Sequence, residues 1–63
     1  MNKYQIGQKV LLRAFPNDFI IEITGIIRDG YLGVKTDVKS GKVYPEEDFL
    51  ESQLIPYTMA SGE

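Results

Sequence analysis

The chain contains no cysteine, no histidine and no tryptophan. Without cysteine a disulfide framework is impossible, and without either cysteine or histidine the ligands of a structural zinc site are missing. The usual general base and the strongest side-chain nucleophile are absent for the same reason. Ser40 and Ser52 do not replace them, because the pattern places no lysine beside either in a pocket. Glu46, Glu47, Asp48 and Glu51 lie close together but lack the alternating ligand spacing of a calcium loop, and read as a solvated acidic turn. Asp29-Gly30-Tyr31-Leu32-Gly33 has two glycines, yet it has neither the spacing, the lysine nor the helix of a phosphate-binding loop. The expectation is a protein that is not an enzyme, with no cofactor and no metal.

Long apolar runs are also missing. Val10-Leu11-Leu12 and Phe19-Ile20-Ile21 are far short of the roughly 20 residues that cross a bilayer. Within residues 1–15, Gln5, Gly7, Gln8 and Lys9 interrupt any apolar signal core. A cytoplasmic protein with no membrane contact is expected. Basic residues are scarce in one region only. Residues 1–42 hold seven Lys and Arg against the four acids Asp18, Glu22, Asp29 and Asp37, a balance of +3; residues 43–63 hold five acids and no base, a balance of −5. The total of −2 opposes a general phosphate binder, which relies on basic excess.

With 63 residues there is room for one small domain, burying only about 60% of the surface its unfolded chain exposes. Its apolar pattern has period two rather than 3.6. Ile6, Val10, Leu12 and Ala14 share one face of a first strand, against Gly7, Lys9 and Arg13. Pro16-Asn17-Asp18 reads as a turn. In the β-prone run Phe19 to Arg28, Phe19, Ile21, Ile23 and Ile27 form one face, and Ile20, Glu22, Thr24, Ile26 and Arg28 the other. Gly25 marks a bulge or bend. Asp29-Gly30 is a two-residue hairpin signal that calls for positive φ at Gly30. From Tyr31 to Val38, Leu32, Val34, Thr36 and Val38 are expected inward, and Tyr31, Gly33, Lys35 and Asp37 outward. Lys39-Ser40-Gly41-Lys42 is a second turn, leading to a short strand at Val43-Tyr44. A single helical turn is expected over Pro45 to Asp48, then Phe49 and Leu50 as an anchor, and a last strand at Leu54-Ile55-Pro56. Residues 58–63 read as a disordered tail after a domain spanning 1–57.

This order resembles the SH3-like small β-barrels, which include SH3, Tudor and KOW domains. The likeness rests on Ile6-Gly7-Gln8-Lys9-Val10, on the Gly25 and Asp29-Gly30 punctuation, and on Val43-Tyr44-Pro45-Glu46-Glu47-Asp48-Phe49-Leu50. It covers roughly residues 4 to 57 and implies an all-β, five-stranded barrel with one short helical turn before the last strand. It also supplies three binding modes to test. The polyproline mode fails for want of tryptophan. The aromatic cage for methylated cations is left incomplete, because Phe15 and Phe19 flank the first connection while Lys39-Ser40-Gly41-Lys42 brings no ring.

Apolar residues on the outward register remain: Leu11, Phe15, Ile20, Ile26 and Tyr31, with Arg13 beside the first two. Two uses are open to them. They close a tightly bent barrel from its second face, or they form a partner-binding patch, since large exposed apolar surface marks interaction sites. On the second reading the chain is a protein-binding accessory or inhibitory module, similar in size and fold to small proteins of phages and mobile elements, with a protein partner that the sequence does not name. A homodimer interface is another use of the same patch. The rival is a KOW-type module binding nucleic acid or the ribosome through Arg28, Lys35, Lys39 and Lys42.

Overall fold

Residues 3–57 are described in a computed structural model, and the expected tail at 58–63 lies outside them. Five strands form: β1 (Lys9–Leu12), β2 (Phe19–Ile27), β3 (Gly30–Asp37), β4 (Glu47–Leu50) and β5 (Leu54–Pro56). A 3-10 turn at Glu51–Gln53 joins the last two. All pairings are antiparallel in a single sheet of order β4-β3-β2-β1-β5. The edge strands β4 and β5 do not pair with each other, so the sheet is open rather than a closed barrel. No helix among the described residues is long and apolar enough to cross a membrane.

One cluster of Tyr4, Val10, Ile21, Ile23, Tyr31, Phe49 and Leu54 forms the core, with Leu12 packed against it. It draws on all five strands, and Val10, Ile21 and Ile23 are wholly inaccessible. A single sheet without a second layer reaches such burial only by curling, so that its outer strands and the Tyr4 segment cover the concave face. Each such side chain contributes about 1.5–3 kcal/mol relative to exposure. The period-two pattern places Val10, Leu12, Ile21 and Ile23 on the core side as expected. Ile6 and Ala14 are exposed, because β1 does not extend to them.

The bulge expected at Gly25 is present. Ile23 pairs with Gly33 and Gly25 with Leu32, leaving Thr24 as the extra residue. An inserted residue shifts the alternation of everything after it. Ile27, expected inward, is therefore exposed.

The faces of β3 are the reverse of those expected. Tyr31 and Gly33 point into the core, whereas Leu32 and Val34 are only half-buried on the other side. Alternation says which residues share a face but not which face is the inner one. Register settles that point, with Tyr31 opposite Phe49 and Gly33 opposite Ile23. Gly33 is needed there, since a Cβ would stand 2.7 Å from Cγ2 of Ile21 and 3.1 Å from the carbonyl oxygen of Glu22. The Tyr31 hydroxyl accepts from the amides of Lys3 and Tyr4, each at 3.0 Å, and donates to Glu51 Oε1 at 3.4 Å. Its ring meets Tyr4 edge to face at 5.4 Å. These bonds satisfy the polar tip, so the ring is buried without an orphaned hydroxyl. Val38 is exposed because β3 ends at Asp37.

Both turns are present, one of them shifted. Ile27 pairs with Gly30, so the two-residue loop is Arg28-Asp29 and Gly30 opens β3. Its φ is not positive; Gly7 and Gly41 are the glycines with positive φ. Gly30 is required for a different reason, because a Cβ would collide with the backbone carbonyl of Phe49. In the second turn Gly41 has φ 77°, and the Asp37 carboxylate accepts from the amides of Lys39 and Ser40.

Val43-Tyr44 makes one bridge, Thr36 to Val43, and a bond from the Tyr44 amide to the Lys35 carbonyl at 2.8 Å. From there to Gly33↔Glu47, three steps along β3 match four along its partner, so the chain bulges at Pro45-Glu46. Pro45 has no N–H to give to a ladder. Glu47 and Asp48, expected in a helical turn, are strand residues. The helical turn lies later, at Glu51–Gln53, where Gln53 Oε1 accepts from the Leu50 amide at 2.8 Å.

Candidate functional site

The residues expected as a partner-binding patch are not brought together. Leu11 and Ile20 face each other across β1 and β2, half-buried on the convex side, in line with Ile55 and Thr36. Ile26 is exposed beyond the bulge. Tyr31 belongs to the core and offers no surface, because the β3 register turns it inward. Arg13 and Phe15 remain, side by side in the connection between β1 and β2.

That connection is tightly wound. The Phe15 amide donates to the Leu12 carbonyl at 3.1 Å, and the Asp18 amide to the Phe15 carbonyl at 3.2 Å. Pro16 fixes φ within it. Phe15 is consequently held 52% exposed on a constrained backbone. Arg13 is fixed by two bonds to the 3-10 turn: its amide to the Gln53 carbonyl at 2.7 Å, and its Nε to the Ser52 carbonyl at 2.9 Å. Between these elements lies a groove of about 370 Å³ lined by Leu12, Arg13, Ala14, Phe15, Ser52 and Gln53. Arg13 is its one charged residue.

From Phe15 a run of rings continues along the same end of the sheet. Phe15 and Phe19 lie 6.4 Å apart, and Phe19 and Tyr44 5.9 Å apart, both edge to face. The Nζ of Lys35 sits 4.8 Å from the centroids of both Phe19 and Tyr44, and 3.5 Å from Glu47 Oε2. The Nζ of Lys42 is 4.8 Å from the Tyr44 ring. The third ring judged missing from the sequence is therefore supplied by Tyr44, which follows the second turn rather than lying in it. The space between the rings is filled by the chain's own Lys35. Cation–π contacts of this kind contribute about 0.5–1 kcal/mol where exposed and about 2 where desolvated.

Of the four candidate nucleic-acid contacts, Lys35, Lys39 and Lys42 lie at one end of β3 and Arg28 at the other. Arg28 lies in the loop before β3, and Lys39 and Lys42 in the loop after it. An eight-residue strand separates those loops by roughly 23 Å. Lys35 is engaged by its rings and Glu47. In the acidic third of the chain, Glu46 accepts from Thr24 Oγ1 at 2.6 Å, Glu47 pairs with Lys35, and Glu51 meets Tyr31. Among the described residues no group of acidic side chains is placed to hold a metal ion.

A second groove, about 460 Å³, lies among Ile27, Arg28, Asp29, Asp48, Phe49, Leu50 and Gln53, and shares Gln53 with the first. It carries charges of both signs. Sequence reasoning missed Ser52, Gln53 and Tyr44 as site residues. Only Tyr44 left a signal, as an aromatic beside a proline at the end of a turn. Comparison with protein-family models, with characterised proteins and with solved structures gave no match.

Proposed function

We propose that the chain is a non-enzymatic, protein-binding module of the SH3-like small-barrel type, acting by occupancy of a partner's surface through Phe15 and Arg13. The observation that carries this reading is Phe15: half exposed, beside an apolar groove, on a backbone held by two turn bonds. A core residue does not need that placement, since the hydrophobic cluster is complete without it. Rigid aromatic and arginine side chains bordering a pocket are the usual energetic centres of interfaces. An accessory or inhibitory role in the cytoplasm fits the size of the domain and rests on that analogy alone.

Selection of peptides from a random library on the immobilised protein tests the site. Binders are expected to lose affinity on Phe15→Ala by a factor of about 30 or more, equivalent to about 2 kcal/mol, with only a small loss of stability. Binders indifferent to Phe15→Ala would remove this surface from the function. The nucleic-acid reading makes the opposite demands. It requires oligonucleotide affinity that falls steeply with salt and disappears when Lys39 and Lys42 are both changed to glutamate.

A further inference from the structure

The groove beside Phe15 has an electrostatic character that narrows its ligand. Leu12, Ala14 and Phe15 give it an apolar side, Ser52 and Gln53 form the other wall, and its one formal charge is the Arg13 guanidinium. Arg13 makes no ion pair among the described residues. Its Nε is committed to the Ser52 carbonyl, which fixes the plane of the guanidinium and leaves both Nη groups to donate. The carboxylates with side-chain partners among the described residues find them elsewhere: Glu46 at Thr24, Glu47 at Lys35 and Glu51 at Tyr31. An oriented fork of donors is the geometry that binds a carboxylate in two parallel bonds.

Resting on the protein-binding reading above, we propose that this groove takes a short acidic peptide segment. An apolar side chain of the segment packs on Leu12 and Phe15, while an adjacent aspartate or glutamate pairs with the Nη groups of Arg13. A nucleic-acid backbone is disfavoured as occupant, because a single cation beside an apolar side does not track successive phosphates.

Two blocked peptides, acetyl-Gly-Leu-Glu-Leu-Gly-amide and its Gln counterpart, separate the charge from the apolar contact. Titration followed by backbone amide shifts should move Arg13, Ala14, Phe15, Ser52 and Gln53. The Glu peptide should bind roughly tenfold more tightly than the Gln peptide, the increment expected of a charge-assisted pair. That margin should shrink as salt rises. Arg13→Gln, checked by its melting temperature, should weaken the Glu peptide far more than the Gln peptide and so abolish the margin between them. Phe15→Ala should weaken both peptides alike. Equal affinity for the two peptides at these residues would overturn the acidic preference and leave the protein-binding site standing. Shifts confined to other surfaces, or no response to millimolar peptide, would overturn both.

Discussion

The two ends of β3 solve the same problem, reversing the chain, by different physics. At the Gly30 end the backbone is crowded. Gly30 lies between Ile27 and Leu50 with no room for a Cβ, and the neighbouring Tyr31 ties the segment at Lys3 and Tyr4 to the 3-10 turn through one hydroxyl. At the Asp37 end the turn is open. Gly41 has nothing within 4 Å of a hypothetical Cβ and is glycine for its φ of 77° alone. Around that open end stand the exposed Phe15, the Phe19–Tyr44 pair and three lysines. Close backbone packing is thus concentrated at the Gly30 end, whereas the run of rings and lysines stands at the other.

Substitutions at four positions test this contrast. The largest effect should come from Gly30→Asn. Asparagine tolerates a left-handed backbone, so a turn glycine would accept it, but a Cβ meeting the Phe49 carbonyl should cost about 3 kcal/mol. In a domain of this size that lowers the melting temperature by roughly 12 °C or more. A Gly30→Asn protein that melts like the parent would show that φ, not contact, selects this glycine.

Next, Tyr31→Phe removes the acceptor for the Lys3 and Tyr4 amides. Leaving the buried Tyr4 donor unpaired should cost about 1–3 kcal/mol while keeping the ring in the core. Hydrogen exchange should report faster opening at Tyr4 ahead of β2. Unchanged protection there would mean that the hydroxyl does not anchor the segment.

Gly41 should give the mirror-image result of Gly30. Gly41→Val should cost about 1–2 kcal/mol for its forced left-handed φ, and Gly41→Asn much less. If both variants cost the same in a thermal melt, the open turn has a steric limit that the contacts do not show.

The smallest expected stability effect is at Phe15. Phe15→Ala should cost about 1 kcal/mol, the scale of its edge-to-face contact with Phe19, against the 3–5 kcal/mol typical of a core phenylalanine. A large loss would move Phe15 into the folding core and remove the functional asymmetry between the two ends.

Much of the strand plan is legible in the residues, because period-two alternation is a local property. Val10, Leu12, Ile21 and Ile23 appear on the core side as read, and Gly25 marks a bulge. Ile6 and Ala14 depart from the pattern because β1 is shorter than the alternation, and further departures follow the bulge. One extra residue at Thr24 inverts the sense of Ile27, and the side of β3 that faces inward depends on pairing with both β2 and β4. Tyr31, placed outward by the alternation of β3, is buried, and backbone amides far away in sequence satisfy its hydroxyl. The candidate site was legible as Arg13 and Phe15, but not as a groove. Its other wall, Ser52 and Gln53, comes from a 3-10 turn about 40 residues onward, and no local pattern links the two.

Composition excluded disulfide, thiolate and imidazole chemistry, since an absent side chain cannot be supplied by folding. The apolar rhythm determined an all-β chain with turns near their observed places, because each strand's alternation is carried by its own residues. Only the tertiary structure decided that the five strands curl without closing, that Gly30 serves a contact and Gly41 a backbone angle, and that Lys35 fills the gap between Phe19 and Tyr44. These outcomes depend on register across strands and on which groups meet over long sequence separations. Register is set by the summed packing of the whole sheet, a quantity that no segment of the chain contains by itself.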